Sequence, residues 1–335
     1  MDHYHTSNFQ KLLYWLYPLF IFFICFSIQS FCLHIATKEY IDYMNNIKEL
    51  FNQTKIDTNI EKQITKGQLY DVFGYLIGKY TNGSNFNISL IILDLLGVFP
   101  LVVFSSLNII MIYFDYDVIG IYNKTFIIAS IMAVSKGIID MMTIIPDSNG
   151  WNTCKKRLGD QPISYLNSID FSNHFFISLF NMVRFEIFGL DHHRVRYCAD
   201  MMISGHTYFV VLFSIASYKI VSTVVDKRSY HIILMKIAVM MFIIVEMIAI
   251  SLERFHYTID IVIAIMLVIL LWDSITIEML AYNWSQGYSW RTGLWIKPNS
   301  LCDLLYDNKR RSIYASNTNN VSNYLMDDMA EYETV

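Results

Sequence analysis

The chain has 335 residues, is 54% hydrophobic and only 16% charged, and carries a formal net charge of −4. So few charges cannot cover the surface of a soluble globule, and the acidic balance argues against a nucleic-acid partner. With 13 Gly and 5 Pro, collagen-like and low-complexity chains are excluded as well, which leaves an integral membrane protein.

Residues 1–11 are a short N-terminal segment, followed by an uncharged stretch over 12–37. That stretch exceeds the roughly 20 residues needed to cross a hydrocarbon core. It is also longer than a cleaved signal peptide's apolar region and lacks a small-residue cleavage site after it. Further apolar runs predict spans at 88–114, 125–146, 201–225, 232–252 and 257–282. Backbone in lipid has no water to bond, so all six are expected to be helices. The fold class is therefore an all-α six-transmembrane-helix bundle over 12–282, followed by a polar tail at 283–335 that is expected to be disordered beyond 303.

Two long connections separate these runs. The first, after residue 37, contains a stretch at 67–80 with helical apolar spacing, expected to lie on the membrane surface. The second follows Pro146. Within it, 171–190 is apolar but carries His174, Arg184 and Glu186, which favours an interfacial or re-entrant helix over a seventh span. Lys227 and Arg228 in a short loop, with Arg291, Lys297, Lys309, Arg310 and Arg311 in the tail, put those regions on the cytosolic side. The long connections then face a lumen or the exterior, and sequons at Asn52, Asn82 and Asn87 agree with that side. Of the five cysteines, Cys25 and Cys32 lie in the first span and Cys302 in the tail. Cys154 and Cys198 bracket the second long connection, as a disulfide or as two thiols. No cysteine or histidine has zinc-ligand spacing.

Two stretches carry candidate chemistry. Cys198-Ala-Asp200-Met-Met-Ile-Ser204-Gly205-His206-Thr207 opens the fourth run and His256-Tyr-Thr-Ile-Asp260 opens the sixth. With nine histidines in the chain, a His four residues before an Asp is a weak signal by spacing alone. Its place at a span entrance strengthens it, because ionisable groups near membrane depth are functional candidates. On one helix face Asp260 would accept a hydrogen bond from His256 and fix its tautomer. Two crossings separate His206 from His256, so both lie on the same side of the membrane at similar depth. Two imidazoles and one carboxylate there suit phosphoryl chemistry on a lipid headgroup, one imidazole attacking phosphorus and the other protonating the leaving alcohol. Ser204 and the Gly205 backbone at a helix start would hold phosphate oxygens.

Other charged groups have competing readings. Lys136 and Asp140 either neutralise one another within the third span or present Lys136 to the donor phosphate. Asp200 either contacts substrate or caps the fourth span. Glu246, Asp273 and Glu278 read as structural, and Trp284, Trp290 and Trp295 as an interfacial belt.

The patterns C-x-D-x-x-x-S-G-H-T and H-Y-T-I-D resemble the two catalytic motifs of the sphingomyelin synthase family. That family belongs to the lipid phosphatase/phosphotransferase superfamily related to type 2 phosphatidic acid phosphatases. The run from Lys136 to Pro146 resembles the family segment that ends the third span. The resemblance covers about 88–282 and implies a transferase, a ceramide cholinephosphotransferase-like enzyme. Its donor would be phosphatidylcholine or another glycerophospholipid, its acceptor ceramide, and its products a phosphosphingolipid and diacylglycerol. It further implies His256 as nucleophile, Asp260 as its orienting partner and His206 as acid then base. Ser204, Gly205, Asp200 and Lys136 would bind substrate or phosphate. The active site would face the lumen of the Golgi or another endomembrane, or the exterior at the plasma membrane, with no metal or other cofactor. A homo-oligomer is compatible with this reading.

The phosphatase superfamily's K-x6-R-P motif is absent, and Ala249 and Ile250 stand where its S-R pair would precede the second histidine. Both departures favour the synthase branch. Three alternatives remain open: phosphoethanolamine transfer to ceramide, a lipid phosphate phosphatase with water as acceptor, and a non-catalytic lipid-sensing membrane protein.

Overall fold

The computed structural model describes residues 8–54, 71, 90–114, 116, 118–145, 151–168, 177, 202–225, 229–252 and 256–285. The chain divides into a unit at Met1–Ser285 and a second at Gln286–Val335, and the described residues belong to the first. The surface helix expected at 67–80 and the segment at 171–190 lie outside the described residues, apart from Asp71 and Ile177. The tail, Cys198, Cys302 and Asp200 also lie outside them.

The described residues contain helices and no strand. In chain order these are α1 (Asn8–Thr54), α2 (Leu90–Tyr113), α3 (Ile119–Met142), α4 (Trp151–Leu158), α5 (Asp160–Ser168), α6 (Gly205–Val224), α7 (Tyr230–Leu252), α8 (Thr258–Trp272) and α9 (Ile275–Ser285). Five of them are long and apolar enough to cross a membrane, and six spans result if α8 and α9, bent by 61° at their junction, count as one. This is an all-α membrane protein.

The bundle is built around α3 and α6. α1 packs along α3, α2 packs along α6, and α6 also touches α7, α8 and α3. The central core joins Phe22, Phe104, Phe126, Met132, Tyr208 and Phe213. Phe104, Phe126 and Phe213 meet pairwise with centroids 5.4–6.1 Å apart. Buried hydroxyls in this apolar interior return to their own helix: Ser130 Oγ donates to Phe126 O at 2.7 Å and Ser217 Oγ to Phe213 O at 2.7 Å. An unsatisfied hydroxyl in hydrocarbon is costly. α1 and α3 run parallel at close range because Gly137 has no side chain. A Cβ there would lie 2.8 Å from Gln29 Cα, the small-residue crossing that membrane helices favour. α2 and α7 turn Leu95, Val102, Ile109, Ile233, Leu234 and Ile237 outward, as lipid-facing helices do.

Four boundaries differ from the sequence expectation, the third span among them: its helix runs over Ile119–Met142 rather than 125–146. α1 does not stop at residue 37: it has 47 residues, about 70 Å at 1.5 Å per residue. Its extension is polar on average yet amphipathic. Ala36, Tyr40, Ile41 and Met44 bury against Cys154, Leu158 and Leu166 of α4 and α5, and Lys38 bonds Asp42 at 2.8 Å on the outer side. Asn52 therefore falls in the last turn of a helix rather than in a loop. The fourth span starts as a helix at Gly205, not at 201. The sixth is interrupted after Trp272, where Asp273 caps α8 and the Ser274 carbonyl accepts from Glu278 N–H at 3.1 Å to begin α9. At that end Lys124 pairs with Glu278 at 3.2 Å and lies 4.9 Å over the Trp272 ring, and Trp284 packs on Tyr17.

Candidate active site

The amino ends of α6 and α8 meet at the end of the bundle where α3 finishes. Ser204 is the N-cap of α6, with extended backbone, and its Oγ accepts from Thr207 N–H at 3.3 Å and from Thr207 Oγ1 at 2.9 Å. Ser is a strong N-cap because it satisfies one of the orphan amides of the first turn. The cap is thus Ser204, so of the two readings of Asp200 the capping one does not describe this helix start. Ser204 Oγ is engaged by Thr207 and fully buried, so this residue orders the turn. Gly205 is the first helical residue, and His206 follows in the first turn, half-buried.

The second motif is also a helix entrance, but its geometry differs from the sequence expectation. α8 begins at Thr258 with Tyr257 as N-cap, so His256 precedes the helix and does not share a helical face with Asp260. The two meet because Asp260 turns back. Its Oδ2 accepts from Tyr257 N–H at 3.0 Å and lies 3.5 Å from His256 Nδ1. A carboxylate at the third helical position reaching the N-cap amide is one half of a capping box. Here the same oxygen faces the imidazole. His256 is 3% exposed and Asp260 is fully buried.

A backbone bond joins the two motifs: Ser204 N–H donates to the Asp260 carbonyl at 3.3 Å. Lys136 underpins the same junction from α3. Its Nζ donates to Asp140 Oδ2 at 2.7 Å and to the Ile203 carbonyl at 2.6 Å, and the residue is 1% exposed. Of the two readings of Lys136, the geometry shows the internal pair, with the ammonium also holding the chain just ahead of the N-cap. Among the described residues, no group of three or more His, Cys, Asp or Glu is placed to hold a metal ion.

Residues 197–277 match the family model described as PAP2 superfamily C-terminal. The match spans both motifs and supports a lipid phosphatase/phosphotransferase-type activity. No curated protein and no solved structure matches the chain.

Three residues at this end carry no chemical signal in the sequence. Tyr208 OH donates to Gln29 Oε1 at 3.1 Å, which ties α6 to α1. Asp71 bonds the first residue of α8. Gly97 of α2 lies against the His206 ring, and a Cβ there would sit 2.9 Å from His206 Cδ2 and 3.8 Å from Nε2. The atom that must yield is at the end of a rotatable side chain, so Gly97→Ala should leave the backbone and stability nearly intact while pushing the imidazole aside. Displacing a reacting group by about 1 Å can cost ~100-fold in rate. Turnover per folded molecule is expected to fall by that order with an unchanged melting temperature. A variant as active as wild type would show that His206 does not work from this rotamer.

Proposed function

We propose that the chain transfers a phospho-headgroup, phosphocholine first among the candidates, from a glycerophospholipid to the primary hydroxyl of ceramide. The observation that carries this reading is the Ser204–Asp260 backbone bond, which brings the entrances bearing His206 and His256 to one point at the end of a membrane bundle. The PAP2 match supports the phosphoryl chemistry, and the synthase-like form of both motifs supports the acceptor.

The chemistry follows from the ring positions. With His256 Nδ1 facing Asp260, Nε2 is the nitrogen left to attack phosphorus. An N–P bond forms, the P–O bond to diacylglycerol breaks, and His206 gives its proton to the departing alkoxide. In the second step His206 takes the proton of the ceramide hydroxyl, whose oxygen bonds phosphorus as the N–P bond breaks. Asp260 stabilises the charged imidazole in both steps. The Gly205 amide at the start of α6 is suited to a phosphate oxygen. Water as acceptor would give a lipid phosphatase from the same groups.

An oxidising compartment fits the site's side of the membrane. Cys154 is disulfide-bonded and sits on α4, which follows the end of α3 nearest His206. Disulfides persist in lumenal and extracellular spaces, as a Golgi, other endomembrane or plasma-membrane enzyme with an outward site requires. Cys25 and Cys32 are free, and Cys198 is the proposed partner. Non-reducing peptide mapping is expected to join the Cys154 and Cys198 peptides. A Cys154–Cys302 link would place the tail on the same side as the site and refute the six-span topology.

The function itself is tested with purified protein in vesicles containing fluorescent ceramide. Phosphatidylcholine, phosphatidylethanolamine and phosphatidylinositol are supplied separately, with phosphatidic acid as control. One new phosphosphingolipid names the headgroup. Phosphate release from phosphatidic acid with no transfer would replace ceramide by water as the acceptor. Inertness towards all four lipids would leave a non-catalytic role.

A further inference from the structure

We propose that Asp71 is a positioning residue for the His256–Asp260 turn, an inference that rests on the phosphotransfer reading of that site. Its carboxylate comes from the connection between α1 and α2, 187 positions away in sequence. Asp71 Oδ2 accepts from Thr258 N–H at 2.8 Å, and the Thr258 hydroxyl lies 3.0 Å from both Asp71 oxygens.

The reason lies in what α8 lacks. The first amides of a helix have no intrahelical acceptor, and short polar side chains at the N-cap usually supply one. The N-cap here is Tyr257, which brings no short capping side chain. Asp260 covers the Tyr257 amide from within the helix. Asp71 covers the next one, Thr258, from outside. A carboxylate at this end is also favoured by the helix dipole. His256 stands one residue before Tyr257, outside the helix. Its place is set by the turn that these two carboxylates hold, and Asp71 acts on the imidazole through that turn without contacting substrate. Asp71 is thereby part of the site's framework.

The test compares Asp71→Ala, Asp71→Asn, Thr258→Val, Thr258→Ser and Asp71→Ala/Thr258→Val. Turnover uses the ceramide vesicles with each of the three donors, and phosphatidic acid vesicles. Deuterium uptake is followed in the 256–262 peptide. Asp71→Ala is expected to lower kcat ~10–100-fold per folded molecule, with KM within about twofold, since no substrate contact is removed. Asp71→Asn keeps one acceptor oxygen and should fall in between. Thr258→Ser keeps both bonds and should match wild type, whereas Thr258→Val loses one and should slow the reaction modestly. The double variant should be no slower than Asp71→Ala, because both changes remove the same contact. Uptake at 256–262 should rise in Asp71→Ala while that of α6 stays constant.

Wild-type kcat in Asp71→Ala, a loss confined to the folded fraction, or multiplying effects in the double variant each overturn the proposal. If Asp71→Ala does not fold, Thr258→Val and Asp71→Asn decide by the same criteria. A wild-type chain inert towards every lipid refutes the functional reading instead. The uptake comparison then still decides whether Asp71 holds the turn, with unchanged uptake overturning it.

Discussion

His256→Ala is expected to abolish turnover outright, and His206→Ala to lower it by ~100- to 10,000-fold, the range typical of losing a general acid or base. The two losses differ in kind. Without His256 there is no nucleophile, so no covalent intermediate forms with any donor. Without His206 the attack fails because diacylglycerol is a poor leaving group. A donor with an activated leaving group, such as p-nitrophenyl phosphocholine, needs no proton at that step. His206→Ala should therefore still be labelled at His256 by the activated donor and then stall, since ceramide keeps its proton. Neither change should unfold the bundle: His206 is half-buried at a helix entrance and His256 lies outside α8. Quench experiments with radiolabelled activated donor, beside thermal unfolding of each variant, check both claims. Labelling of His256→Ala would give the nucleophilic role to another residue.

Much of this was legible in sequence because the bilayer imposes simple rules. Apolar runs long enough to cross it became helices. The parity of crossings puts His206 and His256 on one side, and the Ser204–Asp260 backbone bond joins the two helix entrances that carry them. What escaped was where helices begin and end, and which distant segments meet at the site. The extension of α1 looks like loop in the sequence because hydropathy falls at Lys38, although its amphipathic spacing continues and meets α4 and α5. Spacing alone puts His256 and Asp260 on one helical face, because spacing does not show where a helix begins. The N-cap at Tyr257 moves the histidine outside and makes the carboxylate reach back. Gly97 acts by the space it leaves beside His206, and a glycine in an apolar run carries no mark of that. Asp71 acts across 187 positions, a separation no periodicity can detect.

Lys136→Met is expected to cost stability before it costs catalysis. Substitution strips Asp140 Oδ2 and the Ile203 carbonyl of their shared donor at 2.7 and 2.6 Å. Asp140 is fully buried, and leaving one member of a buried ion pair behind typically costs 3–5 kcal/mol, a large share of the roughly 5–15 kcal/mol that holds a domain together. Because the Ile203 carbonyl immediately precedes Ser204, the loosened segment is the one that caps α6 and carries His206. Arginine is no substitute, since a planar fork does not fit a pocket shaped for a compact ammonium. Removing the carboxylate's charge as well should recover part of the loss. Lys136→Met/Asp140→Asn is expected to melt above Lys136→Met and below wild type, because the Ile203 carbonyl still lacks its donor. Thermal unfolding in detergent, read with the folded yield, orders the three proteins. The competing role, a lysine that grips the donor phosphate, makes the opposite prediction: Lys136→Met would melt like wild type and raise KM for the donor. The 1% exposure of Lys136 argues for the first outcome. An ammonium already held by a carboxylate and a carbonyl inside the bundle would have to leave both to meet a phosphate.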